Sequence, residues 1–83
     1  MIKAIITNPE NGQVIEMDIP SDMMFCKLEA KIREAEFVPA RKEAYCFIYM
    51  NHKCSERRTP ADYIPEGQKE IKLNLFSYEY VLI

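Results

Sequence analysis

Two short runs rich in apolar residues lie at the start of the chain, and in the second of them apolar and polar residues alternate. The first run, residues 2–7, is rich in isoleucine. In the second, residues 15–19, two isoleucines and a methionine alternate with two acidic residues, which is the period of a strand with one buried face. Residues 8–12 lie between the runs and end in Asn11-Gly12, a pair suited to the positive φ angles of a tight turn. The pattern predicts a β-hairpin with one solvated side.

The next stretch has the period of an amphipathic helix. Its apolar residues recur at spacings of three, four and three: Phe25, Leu28, Ile32 and Ala35. Ser21 or Asp22 can accept hydrogen bonds from the first free N–H groups of a helix, and Pro39 disfavours helical backbone before it. Glu29 and Arg33 are four residues apart, in the order that favours an ion pair. We expect one helix of about fourteen residues with this stripe facing a core.

Two further apolar runs occupy the second half of the chain. Residues 44–50 are crowded with aromatic side chains. Residues 71–76 form the last predicted strand, in which apolar and polar residues alternate over 71–75. Ile71, Leu73 and Leu75 are therefore expected to face inward. Residues 51–63 contain no such period and are predicted to be an irregular loop. The aromatic residues with the same alternation are expected to pack beneath the helix: Tyr45, Phe47 and Tyr49.

The predicted order is strand, strand, helix, strand, loop, strand. One helix can cover one face of a mixed sheet of four or five strands, provided that the first hairpin lies beside the last strand. This is an α+β fold, in a chain of 83 residues that is long enough for only one domain.

Three motifs resemble the ubiquitin-like family when they are taken in order: Pro20-Ser21-Asp22 before the helix, Ala30-Lys31-Ile32 with Val38-Pro39 at its exit, and Arg58-Thr59 with Asp62-Tyr63 before the last strand. The resemblance covers residues 1–76 and implies a ubiquitin-like β-grasp domain of ββαββ order. It also implies that the hydroxyl of Tyr63 ties its loop to nearby backbone. Small bacterial ubiquitin-like proteins of the YukD kind, which have no Gly-Gly tail, are similar at the level of the fold.

Composition narrows the classes of function. The net charge of −2 argues against a module that binds nucleic acid by neutralising phosphates. No run of ~18 apolar residues exists to insert into a membrane. Three cysteines, an odd number, favour free thiols in a reducing compartment, so we expect a cytoplasmic protein. No motif calls for a cofactor.

The C-terminal end departs from conjugated modifiers and sulfur carriers, which the family resemblance implies would need a terminal Gly-Gly. The only glycines are Gly12 and Gly67, and residues 77–83 are mostly apolar. We therefore predict a non-enzymatic protein-interaction module that is not conjugated, with a C-terminally activated modifier or sulfur carrier as the alternative. The tail at 77–83 is expected to be ordered: it extends the last strand, docks back over the sheet, or adds to an edge of a second copy in a homodimer interface.

The resemblance also implies where a protein partner would bind, because ubiquitin presents its binding patch on the outward side of the third and last strands. The matching residues in this chain are Cys46, Ile48, Lys72, Asn74 and Phe76. They are the predicted binding surface.

Cys46, His52 and Cys54 are candidates for a second kind of site, a metal site or a thiol–imidazole pair. Their Cys-x5-His-x-Cys spacing is not a common zinc arrangement, and a structural zinc usually takes four ligands. No metal ligands and no catalytic residues are therefore predicted, and a Cys/His metal-dependent protein remains the other alternative.

Overall fold

The fold is α+β, with one helix packed on one face of a mixed sheet. A computed structural model describes residues 1–38 and 44–78. The elements are β1 (Ile2–Asn8), β2 (Gln13–Ile19), α1 (Phe25–Glu34), β3 (Ala44–Tyr49), β4 (His52–Lys53), a 3₁₀ turn (Pro60–Asp62) and β5 (Glu70–Tyr78). The five strands are ordered β2-β1-β5-β3-β4. β1 and β5 are parallel, and the other neighbours are antiparallel. The predicted α+β class is confirmed.

The N-terminal hairpin has an unbroken register from Ile2 opposite Ile19 to Asn8 opposite Gln13. Its turn contains four residues rather than a tight pair. Gly12 has a φ of 72°, and its N–H donates to the carbonyl of Asn8 over 2.8 Å. The turn lies within the predicted segment 8–12, but of the pair Asn11-Gly12 only Gly12 takes the positive φ that was expected of both.

The core lies between α1 and the sheet, with β5 at the centre. The helical residues Phe25, Leu28 and Ile32 are buried, and the Phe25 ring packs 5.6 Å, centroid to centroid, from that of Phe47. The sheet contributes the other large buried side chains of this cluster: Ile2, Ile6, Ile19, Tyr45, Phe47, Ile71, Leu73 and Leu75. The predicted inward positions on the last strand and the placement of the first hairpin beside it are thus confirmed.

The helix does not begin at the predicted cap. Neither Ser21 nor Asp22 caps it; α1 starts at Phe25, and its N-cap, Met24, makes no side-chain capping bond. The N–H of Phe25 donates to the carbonyl of Arg58 over 3.0 Å, and the next N–H donates to that of Glu56 over 3.1 Å. The first N–H groups of a helix have no acceptor within the helix. Here carbonyl groups of a distant loop accept from two of them, so a local side-chain cap is not needed.

The helix ends before the predicted proline. α1 contains ten residues rather than about fourteen. Glu36 has a φ of 57°, its N–H donates to the carbonyl of Arg33, and the N–H of Phe37 donates to that of Ile32. This pair of bonds is a Schellman motif. Because the helix has already ended, Ala35 is exposed and does not extend the buried stripe. Pro39 lies outside the described residues.

The segment predicted as an irregular loop contains regular structure. His52–Lys53 forms β4, which pairs with Ile48 and Tyr49 of β3. Met50 and Asn51 make the connecting two-residue turn with φ angles of 48° and 66°. Sequence patterns miss such a turn because it has no glycine, the residue that usually takes these angles.

The last strand is longer than predicted. β5 runs from Glu70 to Tyr78, so the first two residues of the predicted tail at 77–83 belong to it. The remaining tail residues, 79–83, lie outside the described part of the chain, and their docking or dimer contact stays a prediction. No helix within the described ranges has the length and apolar character to cross a membrane.

Candidate protein-interaction surface

The two faces of the sheet have different surroundings. One packs on α1 and carries the core. The other, which we call the open face, carries the residues that alternate with the core positions along each strand. On β5 these are Lys72, Asn74 and Phe76, and all three are exposed, whereas Ile71, Leu73 and Leu75 are buried.

The pairing register joins the open-face residues into rows, because cross-strand partners point to the same side of a sheet. One row crosses all five strands: Val14, Thr7, Asn74, Ile48 and Lys53. In the neighbouring row, Cys46 of β3 lies opposite Phe76 of β5. Four of the five predicted residues therefore fall in two adjacent rows, and Lys72 lies one row away, opposite Ile5.

Phe76 and Ile48 form the apolar part of this surface. The Phe76 side chain is 57% exposed, and Ile48 is half-buried. Cys46 differs from the prediction, because it is only 4% exposed. Its register position is on the open face and it is not part of the core cluster, but a short side chain opposite a large one keeps little accessible area. Cys46 therefore cannot offer a solvent-exposed contact.

The sequence prediction missed two members of the surface. Val14, on β2, is 54% exposed and lies in the same row as Asn74. Lys53 enters this row because β4 pairs with Ile48. Val14 could have been found, since it continues the alternation of Glu16 and Asp18. Lys53 could not, because its position depends on a turn that the sequence does not reveal.

The other end of the open face is charged. Asp18, Lys3 and Glu70 form one row, and Glu16, Ile5 and Lys72 form the next. Opposite charges in cross-strand neighbours stabilise a sheet slightly. The open face thus joins an apolar end to a charged end of mixed sign.

The buried thiols do not favour nucleophilic or metal chemistry. Burial raises the pKa of the Cys46 thiol, and burial together with Cys46 raises the pKa of Cys54 to about 11. Both thiols are therefore protonated at neutral pH, whereas nucleophiles and metal ligands are thiolates. His52 is exposed on β4. Across residues 1–38 and 44–78, no group of three His, Cys, Asp or Glu side chains is placed to hold a metal ion.

Tyr63 anchors the loop that leads from β4 to β5. Its hydroxyl accepts a hydrogen bond from the N–H of Ser55 over 3.1 Å, which confirms the predicted tie to nearby backbone. Its ring packs edge-on at 5.7 Å from Phe25. In the same loop, the carboxylate of Asp62 accepts from the N–H of Thr59 over 2.8 Å, and this bond lowers the pKa of Asp62. The loop is held by specific polar contacts.

Comparison with known proteins gives no assignment: no protein-family model and no curated protein matches this chain.

Proposed function

We propose that this chain is a non-enzymatic protein-interaction module with a ubiquitin-like β-grasp fold. The fold assignment is supported by the parallel pairing of β1 with β5 at the centre of the sheet and by the single helix across one face. It is also supported by the hydrogen bond from Ser55 to the Tyr63 hydroxyl, which the resemblance to ubiquitin implies.

The observation that carries the functional proposal is the exposed ring of Phe76 beside Ile48 on the open face. A phenylalanine that is 57% exposed leaves apolar area in water, and full burial of such a side chain contributes ~1.5–3 kcal/mol. A partner that covers this ring would therefore gain affinity there. Lys53 lies opposite Ile48, and Lys72 lies on the same face of β5, beyond Asn74; the two lysines would orient a partner through their charges.

The contact proposed is non-covalent. Gly12 and Gly67 both have positive φ angles, 72° and 92°, and are used in turns within the domain. Neither has a glycine neighbour, so these 83 residues contain no Gly-Gly pair of the kind that conjugated modifiers require.

The test is capture of partners from cell extract by the purified chain, followed by mass spectrometry. The double variant Ile48→Asp/Phe76→Ser should lose the proteins that the wild type enriches, because a carboxylate and a hydroxyl replace the apolar contact. Met24→Ser is the matched control. Met24 is 38% exposed at the start of α1, away from the open face, and its variant should capture the same proteins.

Thermal melts distinguish lost binding from lost folding. Both variants should unfold cooperatively, since both alter exposed or half-buried side chains. Unchanged capture by Ile48→Asp/Phe76→Ser would contradict the proposal and place the interface elsewhere, with the exposed pair Arg57 and Arg58 as the next surface to vary.

A further inference from the structure

The turn between β1 and β2 contains an asparagine followed directly by a glycine, Asn11-Gly12. In such a pair the amide nitrogen of the second residue can attack the side-chain Cγ of the first, because both groups belong to one chain and are kept close together. A five-membered succinimide ring forms, and ammonia leaves. Glycine favours the attack, since it has no Cβ to hinder the approach and its backbone is permissive.

The sequence distinguishes Asn11 from the other asparagines of the chain, which are Asn8, Asn51 and Asn74. Asn8 is followed by a proline, which has no N–H to lose. The other two are followed by His52 and Leu75, which have large side chains and lie in paired strands. Only Asn11 therefore has an unhindered amide nitrogen next to it in the chain.

The surroundings of this pair are open. Asn11 and Gly12 are both exposed. A Cβ placed on Gly12 would have no described heavy atom within 4 Å, apart from those of its chain neighbours. A ring that joins Cγ of Asn11 to the nitrogen of Gly12 thus has room to form, and water can reach it.

The Asn11 side chain bonds to the backbone just beyond Gly12. Its Oδ1 accepts a hydrogen bond from the N–H of Gln13 over 3.0 Å, which is an Asx turn. The ring closed by this bond contains both reacting atoms, Cγ of Asn11 and the nitrogen of Gly12. The same N–H would stabilise the negative charge that develops on Oδ1 during the attack, as an oxyanion hole does.

Another contact of the turn opposes the attack. The N–H of Gly12 donates to the carbonyl of Asn8 over 2.8 Å, and the nitrogen must lose this proton to become a nucleophile. Oδ1 of Asn8 also accepts from the N–H of Glu10 over 3.1 Å, which holds the turn further. A local opening of the turn would free the Gly12 N–H. The bond from Gln13 to Asn11 does not involve Asn8 and can persist in the opened turn.

We propose that Asn11 deamidates in the folded protein, at a rate limited by opening of the hydrogen bond between Gly12 and Asn8. Hydroxide takes the Gly12 proton, the nitrogen forms a bond to Cγ, and the bond from Cγ to Nδ2 breaks. Nδ2 takes a proton from water, which restores the hydroxide, and leaves as ammonia. Water then opens the succinimide at either carbonyl and leaves aspartate or isoaspartate in place of Asn11. In sum, a carboxamide and water give a carboxylate and ammonium, with no oxidation or reduction.

The modification would change the end of the open face that lies on β2. Either product adds a negative charge three residues before Val14, which belongs to the same row as Asn74. Isoaspartate also lengthens the backbone by one carbon in the turn, next to the pair formed by Asn8 and Gln13. The reaction itself requires no partner and does not rest on the proposed function.

Incubation of the whole chain at neutral and alkaline pH, followed by peptide mapping with mass spectrometry, tests the proposal. Asn11 should lose its carboxamide at least tenfold faster than Asn51 or Asn74, and the rate should rise in proportion to the hydroxide concentration. Both isoaspartate and aspartate should form, because they share the succinimide. Aspartate alone would indicate direct hydrolysis by water, and equal rates at all three asparagines would show that the turn has no special role; either result would overturn the proposal.

The limiting step is tested against a peptide of residues 7–15, which has no fold to protect it. Hydrogen exchange measures how strongly the fold protects the Gly12 N–H, and the same opening exposes this N–H to both reactions. The folded chain should therefore deamidate no more slowly than the peptide rate divided by that protection factor. A slower rate would confine deamidation to the unfolded chain and refute the proposal.

Two variants give a further check, which the comparison with the peptide does not need. Asn8→Ala removes the acceptor for the Glu10 N–H and should speed exchange at Gly12 and deamidation by the same factor. Gln13→Ala is the control, because it keeps the N–H that donates to Asn11 and removes only a contact of 3.4 Å from Nδ2. It should change neither rate. Faster exchange in Asn8→Ala without faster deamidation would contradict the proposed limiting step.

Discussion

At the scale of single residues, backbone conformation is the least predictable feature of this chain. Glu36, Met50 and Asn51 have φ angles between 48° and 66°, in the left-handed region that side chains with a Cβ disfavour. Each ends or reverses an element: Glu36 ends α1, and the other two connect β3 to β4. None of the three is glycine, the residue that usually takes such angles. Residue type alone therefore predicted neither the end of α1 nor the turn between β3 and β4.

Replacing Glu36 with glycine should stabilise the protein. Left-handed backbone costs a residue with a Cβ ~1–2 kcal/mol, and part of this gain is offset because glycine makes the unfolded chain more flexible. We expect Glu36→Gly to raise the free energy of unfolding by ~1 kcal/mol, or the melting temperature by ~4–8 °C. Denaturant titration and a thermal melt measure the two quantities.

Glu36→Gln is the matched control, because it removes the charge near the C-terminus of α1 and keeps the Cβ. It should change the free energy of unfolding by less than ~0.5 kcal/mol. An equal gain from glutamine and glycine would assign the effect to the helix dipole instead of the backbone.

At the scale of elements, α1 depends on the loop that precedes β5. The first two helical N–H groups donate to the carbonyls of Arg58 and Glu56, and the N–H of Ala61 donates to the carbonyl of Ser21. The loop therefore caps the helix from a distance in sequence. Tyr63 holds this loop through Ser55, which links one tyrosine hydroxyl to the start of the helix.

Tyr63→Phe tests this link. The substitution removes the acceptor for the Ser55 N–H and keeps the ring, which packs on Phe25 and Tyr49 at 5.7 and 6.4 Å. We expect a loss of ~1 kcal/mol in the free energy of unfolding. Hydrogen exchange should become faster at the amides of Phe25 and Cys26, whose acceptors lie in the loosened loop.

Tyr49→Phe provides the comparison, since the Tyr49 hydroxyl has no hydrogen bond among the described residues and its ring also packs on Tyr63. It should leave exchange at Phe25 and Cys26 unchanged. Faster exchange in both variants would show that ring packing, rather than the hydroxyl, holds the loop.

Local pairs were predicted better than distant ones. Glu29 and Arg33 form the ion pair that their spacing indicated, at 2.9 Å. Arg33 also lies 5.2 Å from the ring centroid of Tyr45, a cation–π contact between helix and sheet that the spacing did not indicate. Contacts within one turn of a helix can be predicted from the sequence. Contacts between a helix and a sheet cannot, because they depend on how the two elements are oriented relative to each other.

At the scale of the whole molecule, one core joins the helix to every long strand. Ile32, Phe47 and Leu73 belong to the same cluster and are 0%, 2% and 1% exposed, which confirms the expectation that all three are buried. The free energy of unfolding of a domain of this size is only ~5–15 kcal/mol. Truncation of one large side chain in this cluster would therefore remove a considerable part of it.

Ile32→Ala should lower the free energy of unfolding by ~2–5 kcal/mol, through lost burial and the cavity left behind. Lys31→Ala is the control, because Lys31 is exposed on the same helix and its replacement should change stability by less than ~0.5 kcal/mol. Denaturant titration of both variants measures the difference. A small effect of Ile32→Ala would mean that the helix presents another side to the sheet.

The sequence by itself determined which residues alternate between core and solvent, because periods of two and 3.6 follow from backbone geometry. That was enough to predict the α+β class and the place of the first hairpin beside the last strand. The open-face positions of Ile48, Lys72, Asn74 and Phe76 were implied by the resemblance to ubiquitin. Only the tertiary structure decided that Cys46 is buried, that β4 brings Lys53 to this face, and that a distant loop caps α1. Those outcomes depend on which strands are neighbours and on which groups meet across large separations in sequence, and no local pattern contains that information.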